Sequence, residues 1–127
     1  MNEHLETIKN CEELLTREPN NTDALNDLAV SYLHLGDFKK AIEWLDKLIP
    51  LEDNNADARM MRANAYTKGV IPTYNYRDPK VHPEMLDILN IAKDDLDIAL
   101  ENAPNFEEAK ALRQNVLKLR EMIQNIK

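Results

Sequence analysis

Leu25, Leu28, Ala29 and Tyr32 stand at offsets of zero, three, four and seven, a spacing that puts them on one stripe of an α-helix. Leu35-Gly36-Asp37 interrupts the stripe. Gly36 is free to adopt the left-handed conformation that closes a helix, and Asp37 is suited to cap the next one. Beyond it Ala41, Leu45 and Leu48 recur at intervals of four and three, so residues 22–50 predict a helix, a tight turn and a second helix.

The pattern repeats. Glu18-Pro19-Asn20-Asn21 and Glu52-Asp53-Asn54-Asn55 lie 34 residues apart, as do Leu14 and Leu48, and Leu15 and Ile49. Arg59, Arg62, Ala63 and Tyr66 copy the spacing of Leu25, Leu28, Ala29 and Tyr32. Ala92, Leu96 and Ala99 then copy Ala41, Leu45 and Leu48, and Pro104-Asn105 closes the unit. Residues 2–17 predict one further helix, with Leu5, Ile8, Cys11, Leu14 and Leu15 inward, in the register of a second helix whose own first helix is missing. That leaves either a longer array or a single capping helix. Residues 55–102 form a repeat whose first helix is expected to stop at Gly69. Its insertion, at about 69–82, reads as a proline-punctuated loop, functional or a cover for the apolar edge through Val70, Ile71 and its tyrosines. A long helix follows from Pro83, with Met85, Leu86, Leu89, Ala92, Leu96, Ala99 and Leu100 in its stripe. Residues 105–126 predict a terminal capping helix, with Asn105 and Glu108 spaced as a capping box.

The joint pattern of Leu25-x2-Leu28-Ala29-x2-Tyr32, Gly36 and Ala41-x3-Leu45 on a 34-residue period resembles the tetratricopeptide repeat. The first position lacks its Trp, Asp53 replaces the usual Pro, and one unit carries the insertion. The resemblance implies an all-α fold over residues 1–127. In it, antiparallel helix-turn-helix repeats stack as a short right-handed α-solenoid of about six helices, one domain in all. Trp44, beside Leu45, is expected to pack between repeats.

Composition narrows the field. With 127 residues, 43% hydrophobic and 31% charged, the chain is long enough for a core and is not disordered in character. A net charge of −7 without a basic patch argues against nucleic acid and anionic membranes as partners. No run approaches a membrane span or a signal peptide, and Cys11 is the only cysteine; a cytoplasmic protein is expected. Cys11 falls in an apolar register and reads as a small buried hydrophobe.

No catalytic constellation emerges, and the chain is expected not to be an enzyme. His4, His34 and His82 lack ligand spacing, so no metal and no cofactor are expected. Asp53-Asn54-Asn55-Ala56-Asp57 lacks the central Gly and terminal Glu of a calcium loop. Ser31, the only serine, lies mid-helix. Asp94, Asp95 and Asp97 read as a solvated face. An enzymatic reading would need a pocket under the insertion uniting Tyr74, Tyr76, Arg77 and His82.

The resemblance implies a concave groove lined by the first helix of each repeat. Carried over by position, the groove set is Asp23, Asn26, Asp27, Val30 and His34, then Asp57, Met60, Met61, Asn64 and Lys68. The last helix adds Glu108, Ala111, Asn115 and Lys118; the insertion offers Tyr74, Tyr76 and Arg77. The family's clamp for a terminal carboxylate would put its amide at Asp27 and its basic groups at Asp57 and Met61, so that specificity is not implied. Carboxylates there imply a protein or peptide partner with a Lys- or Arg-containing segment, extended or an amphipathic helix. The alternative is a self-associating scaffold, or an assembly or secretion chaperone subunit, acting through the array ends. A homo-oligomer is compatible with the sequence.

Overall fold

The computed structural model describes residues 2–126, and its regular structure is entirely helical. Among those residues six α-helices follow one another: α1 (Glu3–Arg17), α2 (Thr22–His34), α3 (Phe38–Leu48), α4 (Ala56–Asn64), α5 (His82–Asn102) and α6 (Glu107–Gln124). They form an all-α solenoid of stacked hairpins.

Local chemistry sets the boundaries. Asn21 and Asn55, one repeat apart, each accept a hydrogen bond at 3.0 Å from the backbone N–H three residues on, Ala24 and Ala58. Each cap is worth about 1 kcal/mol. Gly36 takes the left-handed conformation (φ 78°) that ends α2, and Asp37 accepts from the Lys40 N–H at 3.2 Å to start α3. The expected capping box at α6 does not form. Phe106, in repeat register with Asn21 and Asn55, is the capping residue and offers no side-chain bond; its ring packs against the core instead.

The stripes read from the sequence meet in three adjoining cores. Ile8 and Cys11 of α1 pack on Ala24 and Leu28 of α2. Leu25 and Ala29 pack with Leu45, Leu48, Ile49 and Ala58. Met85, Leu89, Ala92 and Leu96 of α5 pack with Ala109, Leu112, Val116 and Ile123 of α6. Trp44 touches both of the first two cores, so it packs between repeats as expected. Leu5 is a correction: it is 59% exposed. At that end of α1 the partner of α2 is His4, whose ring stacks on His34 with centroids 4.8 Å apart.

The insertion is mostly helical rather than a loop. The chain runs from α4 into a π-helical stretch, Ala65–Val70, and a 3-10 turn, Ile71–Thr73; a second 3-10 turn, Pro79–Val81, leads into α5. Gly69 therefore does not stop the helix. A Cβ built on it would lie 2.1 Å from Phe38 Cγ and 2.5 Å from Phe38 Cβ, so its bare Cα admits the first residue of α3. Much of the extra length sits in α5, which has 21 residues against 11 in α3. Ile71, Tyr74 and Val81 pack onto the C-terminal core.

Candidate functional site

The repeat register gives α2, α4 and α6 equivalent first-helix places and lines up their exposed positions. Asp23, Asp57 and Glu108 occupy the first turns. Val30, Asn64 and Asn115 stand two turns further on. Between α4 and α6 lies a concavity of about 350 Å³, lined by Met60, Asn64, Lys68, Glu108, Ala111, Leu112 and Asn115. Among them only Leu112 is buried.

Helix geometry explains the alignment of one wall. Met60, Asn64 and Lys68 are spaced by four, and in a regular α-helix that spacing drifts by about 40° per step. The π-helical turn from Ala65 closes hydrogen bonds over five residues, widens the helix, and keeps Lys68 on the side of Asn64.

The other expected groove residues are distributed differently. Asp23, Asp27, His34 and Asp57 are exposed, while Asn26 and Val30 are half-buried. Met61 turns inward against the core of Leu25, Leu45 and Leu48. Lys118 is exposed on α6 outside the lining of the cleft. Tyr74 turns inward, and its interaction with the Glu84 carboxylate, with burial adding to it, raises its phenol above the ordinary value. Tyr76 and Arg77 face outward, the guanidinium 5.8 Å from the ring centroid, and His82 Nε2 donates to the Tyr76 carbonyl at 2.6 Å. These groups do not converge on a common point.

Electrostatics divides the molecule into committed and uncommitted charge. Arg59 Nη1 and Arg62 Nε reach Asp95 at 3.0 and 2.8 Å, and Arg62 Nη1 reaches Asp46 at 2.9 Å. The expected solvated face is thus corrected: Asp95 is 1% exposed. Hydrogen bonding to Asp95 raises the Arg62 guanidinium further above its ordinary value, against the effect of burial. Asp97 accepts from Arg113 at 2.6 Å and from Lys93 at 2.8 Å; burial pushes its carboxyl up, but these two cations outweigh it and hold it below the ordinary value. Burial raises the Cys11 thiol, with Asp27 adding to the effect, in keeping with an inert side chain. By contrast, among the described residues Asp57, Lys68 and Glu108 make no ion pair, and the side chains of Asn64 and Asn115 make no hydrogen bond.

On the α1–α3 side a second, shallower concavity, absent from the sequence reading, is lined by Glu12, Leu15, Thr16, Pro19, Trp44 and Lys47. The Lys47 ammonium lies 4.7 Å from the Trp44 ring centroid. Among the described residues no group of three or more His, Cys, Asp and Glu is placed to hold a metal ion, and no helix is long and apolar enough to cross a membrane.

The chain is similar to known proteins in sequence pattern and in fold. A family model described as tetratricopeptide repeat matches residues 2–65. A crystal structure of MamA is 19% identical, with 92% of this chain and 84% of that one covered and a TM-score of 0.47. A second, of the MamA protein, is 20% identical, with coverage of 91% and 78% and the same TM-score. No curated protein matches the chain.

Proposed function

The chain belongs to the tetratricopeptide repeat family, whose members serve generally as non-catalytic protein–protein interaction modules, and on that premise we propose that it binds a Lys- or Arg-containing segment of a partner protein on the face formed by α2, α4 and α6. The observation that carries this reading is the exposed carboxylates Asp23, Asp57 and Glu108 at equivalent first-turn positions of α2, α4 and α6, with Asp27 one turn further along α2; of these Glu108 lines the α4–α6 cleft. A negative face favours a positive partner and rejects an acidic one. Met60, Ala111 and Leu112 supply apolar contact for the stems of long basic side chains. In this reading residues 1–127 work as one unit, and the insertion covers the core while leaving Tyr76 and Arg77 free at its surface. The lone buried thiol suits a reducing compartment such as the cytoplasm.

The test is retention of the protein on immobilised basic and acidic peptides, compared with the Asp27→Lys/Asp57→Lys variant. Wild type should be held by the basic set alone, and the variant should lose about tenfold in affinity with an unchanged helical spectrum. Equal retention of both proteins would remove the groove as the binding face.

A further inference from the structure

The α4–α6 cleft is unlike at its two ends. Glu108, in the first turn of α6, lines one end, with Asp57 in the first turn of α4 outside the lining; Lys68 lines the cleft three turns along from Asp57. Between them Asn64 of α4 and Asn115 of α6 occupy equivalent repeat positions, and Met60, Ala111 and Leu112 supply the apolar part of the lining. Helix dipoles favour an acid in a first turn and a base in a last turn. They do not account for two amides facing one cleft, nor for five polar groups that find no side-chain partner within the described chain while Arg59, Arg62, Asp95, Asp97 and Arg113 are all paired.

Resting on the reading just given, we infer that the cleft selects an extended, zwitterionic segment of a partner protein, with Lys or Arg at the Glu108 end and Asp or Glu at the Lys68 end. An amide side chain both donates and accepts, so the Asn64–Asn115 pair matches free peptide N–H and C=O groups. A helical ligand has none to offer along its length, because its own ladder consumes them. The apolar lining carries no sequence information beyond size, so the two ends decide the choice. Asp57 and Lys68 are eleven residues apart on one helical path, about 16 Å. An extended chain advances about 3.3 Å per residue, which sets the two ligand charges about five residues apart. The acidic ligand side chain makes this a narrower demand than a basic segment alone: a uniformly basic peptide meets Lys68 with like charge.

The probes are fluorescent, end-capped peptides about ten residues long, each with one Arg and one Glu at varied separation and in both orders, alongside Arg–Arg, Glu–Glu and neutral controls. Anisotropy should show the tightest binding at a separation of about five. The Arg–Arg and Glu–Glu peptides should each be about fivefold weaker, the size of one partly exposed ion pair. Lys68→Glu should reverse the preference toward Arg–Arg without loss of helicity. If Arg–Arg binds wild type as tightly as Arg–Glu, or if separation has no effect, the inference fails while the basic-segment reading stands. If no peptide binds, or if Asp57→Lys/Glu108→Lys leaves all binding unchanged, both fail.

Discussion

Leu25 and Leu28 are fully buried beside Trp44; in the next unit the same three repeat positions hold Arg59, Arg62 and Asp95. An apolar trio has been exchanged for an ionic one of the same placement. Removing one member of a buried charge cluster strands the others, so Asp95→Ala should cost about 3–5 kcal/mol in chemical denaturation. Replacing all three, Arg59→Leu/Arg62→Leu/Asp95→Leu, should leave stability within about 2 kcal/mol of wild type, because no charge is then left unpaired in the interior. A triple variant as unstable as Asp95→Ala would contradict this. The signal was present in the sequence: two arginines in leucine places require an acid, and Asp95 stands between Ala92 and Leu96 in the apolar stripe. Its neighbours Asp94 and Asp97 give it the look of a solvated charge run, which hides that requirement. Gly69 misled for a related reason. A glycine near a helix end ordinarily marks a stop, whereas here its use is spatial and depends on Phe38, thirty-one residues earlier. Gly-to-Ala in a helix usually stabilises. Gly69→Ala should instead destabilise by about 1–3 kcal/mol, since the colliding atoms are the Cβ and ring root of Phe38 and cannot swing away. An unchanged melting temperature would refute the contact.

Among the elements, α5 and α6 are joined by apolar packing and by one carboxylate. Asp97 on α5 holds Arg113 on α6 and Lys93 on its own helix. Its folded-state pKa is lowered, so its contribution is complete above the unfolded value near about 3.9 and is lost as pH falls through the lower, folded value. The side chain is about one-third exposed, which limits the contribution to about 1 kcal/mol or less. Asp97→Asn should therefore be less stable than wild type in urea at neutral pH, and the gap should close on acidification below about pH 4. A gap that persists or grows in acid would assign Asp97 a role other than this ion pair. At this scale most boundaries were legible, because caps and stripes are local. The π-helical turn was not. Nothing in Ala65–Val70 announces it; it lies where Gly69 meets Phe38 and runs into the 3-10 turn Ile71–Thr73.

For the molecule as a whole, the repeat did most of the work of reading. A 34-residue period transfers positions from one hairpin to the next, so Met60, Asn64 and Lys68 stand in the places of Asn26, Val30 and His34. The α6 side, Glu108, Ala111 and Asn115, followed from the same register across the insertion. What the register did not supply was the inward turn of Met61, the contribution of Leu112, and the Trp44–Lys47 concavity, each decided by packing between units. We propose that the α4–α6 face, and not the Trp44 side or an array end, receives the partner. An amide-resolved NMR titration of the full chain with a capped Arg- and Glu-containing peptide distinguishes these surfaces. Binding at the cleft should give shifts that saturate together at Met60, Asn64, Lys68, Ala111 and Asn115. Shifts confined to Leu15, Trp44 and Lys47, or to the ends near Leu5 and Met122, with α4 and α6 unmoved, would contradict it.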